Sequence, residues 1–413
     1  MGYWPMTVQK NVVEHTGLKR SIGLTGMVFY GVGTMIGGGF YALLGKIVGE
    51  AGVFTPLSII LAGVLALVSA FSFAELSRRF PVSAGEVQYV QAAFDSQPLS
   101  RVVGLLVVLT GIVSSATLCV ATGGFLLDLT GMPVSGLIVF VVAMLTAIAA
   151  WGVTQSVAVV AVITLIEAGT LLFIIVVSSD QFLEFPALIN DMMAQRDQIQ
   201  SSVIVTTAFL AFYAFVGFED MVNMAEETRD VERTLPRAIF ISVIITVLLY
   251  IGVSLVAIGH TDHTAFADAH TPLALLIPDT AHGALIIGVI SILAGLNGAL
   301  VQLVMASRVL YGMANKHLAP GFFASVNSYT RTPLKATLVA GGLILLLTMT
   351  FKLKGLAEAT SFIILAVFTL VNLSLAVIRW REQVAKTWSV VPWLPLIAAA
   401  GCITMLAVRL LAF

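Results

Sequence analysis

Gly31-Val-Gly-Thr-Met-Ile-Gly-Gly-Gly-Phe-Tyr-Ala-Leu-Leu-Gly-Lys-Ile-Val-Gly49 lies in the first long apolar run of this chain. A run of that kind predicts a membrane helix. Three adjacent glycines, Gly37, Gly38 and Gly39, fall at its middle. Each glycine costs about 1 kcal/mol against alanine inside a helix. Three together predict a helix opened at mid-depth. Non-helical backbone at membrane depth is tolerated only where protein covers it or where it lines a watery cavity. The stretch therefore reads as half of a binding site inside a bundle of spans.

The composition agrees with a membrane setting. The 413 residues are 59% hydrophobic and only 10% charged, against about 25% charged for a soluble chain. The formal net charge of −1 gives no electrostatic reason to expect nucleic acid as a partner. Cys119 and Cys402 both sit in apolar runs and read as packing residues. No metal-ligand spacing appears, no cofactor is expected, and no nucleophile–base pattern suggests an enzyme. The polar start of the chain does not read as a cleavable signal peptide.

Eleven candidate spans follow one another at 22–48, 54–77, 101–127, 133–151, 156–179, 200–221, 238–260, 283–312, 334–351, 356–380 and 392–413. Each supplies about 20 residues, enough to cross roughly 30 Å of hydrocarbon. With the N-terminus inside, only Lys46, Arg196, Lys352, Lys354 and Arg409 of the 21 Lys and Arg fall on the outer side. That bias favours a cytoplasmic N-terminus and, with an odd span count, an outward-facing C-terminus in the cytoplasmic membrane. The organisation expected is a tail at 1–21, a first five-helix unit at 22–180, an interfacial helix at 181–199, a second unit at 200–380 and a last span within 381–413. The histidines between His260 and His282 read as a solvated outer loop, because their spacing matches no tight metal motif.

The sixth span repeats the opening feature. Phe209-Leu-Ala-Phe-Tyr-Ala-Phe-Val-Gly-Phe-Glu-Asp220 places Gly217 among aromatic residues, with two carboxylates directly after it. Spans one and six thus each begin a group of five with an interrupted helix. Five is odd, so the second group enters from the opposite side and the repeat is inverted, the architecture of alternating access. An opened helix frees N–H groups on one half and C=O groups on the other. The N-terminal end of a half-helix carries roughly half a positive charge and suits a carboxylate. We accordingly assign a substrate carboxylate to the N–H groups of Gly37, Gly38 and Gly39. A substrate ammonium falls to the carbonyls of Met35, Ile36, Phe215 and Val216. Gly217 and Phe218 complete the second segment, Phe215 is the expected gate, and Asn297 in span eight is a polar candidate.

Four stretches carry a resemblance to a known family. They are Gly31–Tyr41; Phe73-Ala-Glu-Leu-Ser-Arg-Arg-Phe-Pro-Val-Ser-Ala-Gly-Glu86; Phe212–Glu219 with Ala225–Ile239; and Asn297 with Ser307-Arg-Val-Leu-Tyr-Gly-Met-Ala314. In this order they resemble the amino acid–polyamine–organocation superfamily of permeases. The resemblance implies an all-α polytopic protein with a leucine-transporter-like inverted five-plus-five repeat, whose spans one and six are discontinuous. It implies secondary transport of amino acids or related amines by symport or exchange. Glu219 matches a position where some exchangers of the superfamily carry a gating or proton-sensing glutamate. Many proton-coupled relatives carry a lysine near the middle of span five, where this chain has Glu167.

Glu167 is also notable on its own terms. A carboxyl in mid-span is costly and marks a functional hypothesis, here the taking up and release of a proton as access alternates. Sodium coupling is disfavoured, because span eight offers no adjacent Ser/Thr pair near Asn297. Ser114 and its small neighbours in span three read mainly as packing residues. The function expected is proton-coupled symport of small or apolar neutral amino acids. The alternatives are an amino acid/amine exchanger or a carrier of cationic amino acids or polyamines that uses Glu219; a nutrient sensor or a multispan enzyme ranks lower.

Overall fold

A computed structural model describes residues 20–82, 85–152, 157–179, 189–190, 192–194, 201–259, 263–277, 281–382 and 393–411. The interfacial helix expected at 181–199 lies largely outside them. Span one is two helices, α1 (Leu24–Ile36) and α2 (Gly39–Ala51). Next come α3 (Thr55–Arg79), the short α4 (Gly85–Phe94), α5 (Gln97–Thr130), α6 (Val134–Trp151) and α7 (Val157–Val177). The second half runs α8 (Ser201–Phe212), α9 (Val231–Ile258), α10 (His263–Asp268), α11 (Ala281–Asn315), α12 (Leu334–Thr350), α13 (Leu353–Glu382) and α14 (Leu394–Leu411).

Local chemistry explains the ends. The Ser96 hydroxyl accepts from the Leu99 N–H at the start of α5, and Gly131, at φ +69°, ends that helix in the left-handed conformation. Among the described residues, nine helical stretches are long and apolar enough to cross a membrane, with Leu24–Ile36 and Leu334–Thr350 as shorter apolar helices. One of the nine, Gly39–Arg79, is interrupted at Gly52, φ +53°.

The packing pairs equivalent helices of the two halves. The third-span helix α5 lies along the eighth-span helix α11, and α3 of span two lies along α9 of span seven. The halves of span one sit inside, α1 against α7 and α9. Small residues permit this closeness: a Cβ on Gly111 would come within 2.9 Å of the Gln302 carbonyl on α11.

Ion pairs gather in two layers. Glu75 at the end of α3 pairs with Arg79, at 2.6 Å, and with Arg379 at the end of α13. In the other layer, Lys354 at the start of α13 pairs with Glu50, and Arg409 near the end of α14 reaches Glu358 at 2.6 Å. Beside the first layer, the segment before α1 pairs with the loop before α9 as a parallel bridge between Ile22 and Thr228. The Ile22 N–H donates to the Glu227 carbonyl at 3.1 Å, and the Arg229 N–H donates to the Ile22 carbonyl at 2.8 Å.

Candidate functional site

In span one, α1 closes with the Gly37 N–H donating to the Gly33 carbonyl at 3.0 Å. Gly38 then takes φ +42°, and α2 begins. A Cβ on Gly38 would lie 2.7 Å from the Leu118 side chain of α5 and 2.8 Å from the Gly295 backbone of α11. The residue has no room for a side chain, because the third and eighth spans close on it. The Gly39 N–H turns back to the Gly37 carbonyl. The Gly38 N–H takes no hydrogen-bond partner among the described residues. With the open first turn of α2, it forms the free donor end of the break.

In span six, α8 gives way to a tight turn at Tyr213–Phe215, an extended Val216, and Gly217 at φ +130°. A Cβ on Gly217 would sit 2.6 Å from the Thr34 carbonyl. The two breaks therefore touch backbone to backbone. The Thr34 hydroxyl fastens them, donating to the Gly217 carbonyl at 3.0 Å. The Gly217 N–H donates to the Glu219 carboxylate at 2.8 Å.

Tyr250 of α9 supplies the second fastening. Its hydroxyl lies 2.8 Å from the Met35 carbonyl and 3.0 Å from the Ala214 carbonyl. Its ring stacks on Phe40 with centroids 3.9 Å apart. One hydroxyl thus serves an opened carbonyl of each broken helix. Met35, assigned to a substrate ammonium, already has this protein donor on its carbonyl.

Between the breaks and α5, α7 and α11 lies a small cavity. Its polar lining comes from Thr34, Ser114, Tyr213, Asn297 and Gln302. Its apolar walls come from Leu118, Val160, Val216 and Val301. Of the residues expected from sequence, Met35, Gly37, Gly39, Val216 and Asn297 line the space. Ile36, Gly38, Gly217 and Phe218 are not among its lining residues; Gly38 and Gly217 shape the breaks through their backbones. Phe218 packs on Phe73 and Phe368.

Phe215, expected as a gate, is also outside the lining. It is buried against Tyr250, at 5.2 Å between centroids, and fills the space beside Gly63. The aromatic residue that reaches the cavity is Tyr213, whose hydroxyl is 3.3 Å from that of Ser114. Tyr213 belongs to the aromatic cluster visible in the sequence, but its direction follows from the tight turn that ends α8. No motif in the sequence marks Gln302.

Glu167 stands apart from the cavity. It is 1% exposed, and neither carboxyl oxygen has a hydrogen-bond partner among the described residues. The Tyr41 hydroxyl donates to its backbone carbonyl at 2.8 Å. One turn earlier, Thr164 donates to the Phe29 carbonyl at 3.1 Å and occupies the space a Gly33 Cβ would need. This face of α7 therefore buttresses the broken first span. At the loop between spans seven and eight, His270 meets Asp128 at 3.1 Å. No group of three or more potential metal ligands occurs among the described residues.

The amino acid permease family model matches residues 22–412. The chain belongs to that family. It is 28% identical over 393 residues to cationic amino acid transporter 3, mitochondrial, of Arabidopsis thaliana, covering 89% of this chain and 63% of that one. It is 25% identical over 387 residues to the branched-chain amino acid permease BcaP of Bacillus subtilis, covering 88% and 82%. The chain thus spans less than two thirds of the length of the first plant relatives it matches. Among solved structures it is similar to MhsT in complex with L-phenylalanine, with TM-score 0.66, 15% identity, and coverage of 96% of this chain and 100% of that one. The fold is the leucine-transporter-like one of an all-α polytopic membrane protein.

Proposed function

We propose that this protein is a secondary active transporter that moves amino acids across the cytoplasmic membrane by alternating access. The observation that carries the reading is the meeting of two broken helices at one cavity, with the free N–H end of α2 at its edge. That end suits a substrate carboxylate. The carbonyls at the ends of α1 and α8 suit the α-ammonium, with Tyr250 holding them in place. The names of the relatives, amino acid transporters and permeases, support the same class. In this reading eleven spans cross the membrane, with the N-terminus inside and the C-terminus outside, as the Lys and Arg distribution favours.

Proton coupling falls to Glu167. A buried carboxyl with neither oxygen hydrogen bonded among the described residues, on the helix that packs against the broken first span, must carry a proton or meet a cation. For the substrate's side chain, the walls of Leu118, Val160, Val216 and Val301 support an aliphatic, neutral residue. A second reading, a basic side chain, is favoured by the acceptors on the α11 side of the cavity. Glu219 does not supply that contact, since its carboxylate is turned onto the Gly217 N–H and is absent from the lining.

The test is uptake into proteoliposomes from a panel of labelled neutral and basic amino acids, with and without an imposed pH gradient. Saturable uptake that a proton gradient drives uphill is expected. Uptake of no amino acid or amine under either condition sinks the assignment.

A further inference from the structure

The cavity has an imbalance between acceptors and donors that the backbone site does not explain. Two amide side chains on α11 line it, Asn297 and Gln302. They are 7% and 4% exposed, and the side-chain oxygen of each has no hydrogen-bond partner among the described residues. A buried amide oxygen without a donor costs about 1–3 kcal/mol, and two such oxygens belong to residues that line one space. The orientation of Gln302 is fixed by its neighbour. Its Nε2 donates to Asp220 Oδ2 at 2.8 Å, and a carboxylate accepts. The amide oxygen of Gln302 is therefore left for another partner. Asp220 itself is 2% exposed.

Donors are scarce in the same space. The lining contains no Lys, Arg or His. The Tyr213 and Ser114 hydroxyls serve one another at 3.3 Å, and the Thr34 hydroxyl is committed to the Gly31 and Gly217 carbonyls. The buried charges nearby are carboxyls: Glu219 and Glu86 are also buried, at 4% and 2% exposed, while Arg308 on α11 is exposed. A group that satisfies two orphaned oxygens beside a buried carboxylate brings several N–H donors and a positive charge.

The distances suit a long side chain. Gly37, beside the free N–H end, packs against Gly298 of α11, with its Cβ position 3.7 Å from the Gly298 Cα. Gln302 is four residues further along the same helix, about 6 Å at 1.5 Å per residue. That is the reach of an extended four-carbon amine from the α-carbon. The path between them runs along the Val301 and Leu118 walls, which suit an aliphatic stem.

We propose that Asn297, Gln302 and Asp220 form a subsite for the cationic end of the substrate side chain, an ammonium or guanidinium, so that the protein selects long basic amino acids. Asn297 and Gln302 give their oxygens to the cation, and Asp220 orients Gln302 and supplies the counter-charge. The inference rests on the reading that the cavity holds an α-amino acid.

The test is a competition binding measurement on the purified full chain, with L-lysine, L-arginine and L-norleucine as probes. Norleucine has the lysine stem without its charge. Wild-type protein is expected to prefer lysine or arginine over norleucine by about tenfold or more. Asp220→Asn and, separately, Gln302→Met are expected to bring that ratio down toward one. Asp220→Asn keeps a partner for Gln302, and Gln302→Met keeps the volume; if one variant fails to fold, the other decides. Tighter binding of norleucine than of lysine by the wild type, or a ratio unchanged in the folded variants, overturns the subsite and leaves the amino acid reading standing. Binding of none of the three probes, nor of alanine or leucine, overturns both.

Discussion

The Gly217 N–H donates to the Glu219 carboxylate two residues ahead, at 2.8 Å, so the broken sixth span caps itself. Both groups are buried, and at this point the chain turns through φ +130° against the Thr34 carbonyl. Replacing Glu219 by Ala leaves the N–H unsatisfied and is expected to cost about 1–3 kcal/mol. Glu219→Gln keeps an acceptor oxygen and is expected to retain most of the stability while altering the pH dependence of uptake. Thermal denaturation in detergent separates the two variants. An alanine variant as stable as wild type removes the capping role.

Gly217→Ala tests the contact between the breaks. The backbone angle disfavours any side chain, and the added methyl would meet the Thr34 carbonyl at 2.6 Å. A residue forced into such a region costs about 1–3 kcal/mol. Folded protein with uptake reduced at least tenfold is the expected result. Wild-type uptake by this variant would show that the close approach of the two breaks is dispensable.

Tyr250 is the natural target for testing the carbonyl end. Tyr250→Phe keeps the ring stacked on Phe40 but removes the donor from Met35 and Ala214. The expected loss is about 1–3 kcal/mol, together with a raised KM for amino acids as the two carbonyls lose their orientation. KM from initial uptake rates and melting in detergent measure the two effects. A variant unchanged in both removes Tyr250 from the site.

The breaks were legible because glycine is expensive in a helix and a carboxylate is expensive in a membrane. Gly37 to Gly39 and Gly217 announce themselves by those costs. Tyr250 does not: a tyrosine in an apolar span is ordinary, and its partner Met35 is 215 residues away in the chain. Gln302 is hidden for a related reason, since an amide in an apolar span becomes informative only when its partner, Asp220, is known. Phe215 shows the opposite error. The aromatic cluster was visible, but which ring faces the cavity depends on a turn of one residue, and the tight turn at Tyr213–Phe215 gives that place to Tyr213. The bridge between Ile22 and Thr228 is a pairing of backbone groups, which side-chain patterns do not encode.

Glu86 gives a pH prediction outside the spans. It lies in α4, and burial pushes its carboxyl up to about 8; its own backbone N–H opposes the shift, and the nearby charge of Asp220 adds to it. An unfolded glutamate titrates near 4.3. Between those values the folded protein holds the proton and the unfolded chain does not. The contribution to stability is therefore full below about pH 4.3 and is lost as pH rises through about 8. Glu86→Gln is expected to melt close to wild type at pH 4 and above it at pH 9. Equal declines of the two proteins with rising pH would exclude Glu86 as a source of the dependence.

Glu167 offers the sharpest test of coupling, because it is buried and unpaired yet lies outside the cavity. Its two carboxyl oxygens have no donor among the described residues, and Tyr41 bonds its backbone carbonyl instead of its side chain. A purely structural carboxyl would be expected to find a partner, since an unpaired one is costly. Glu167→Gln keeps the shape of the side chain and removes its capacity to exchange a proton. Proteoliposomes carrying this variant are expected to lose accumulation driven by a pH gradient, with the inside-to-outside ratio falling toward one. Substrate-for-substrate exchange is expected to continue, because the two breaks and the lining of the cavity are untouched. Accumulation that still follows the pH gradient in Glu167→Gln would move the coupling to another residue. Loss of exchange together with accumulation would instead make Glu167 a support for the broken first span, through its neighbours Thr164 and Tyr41.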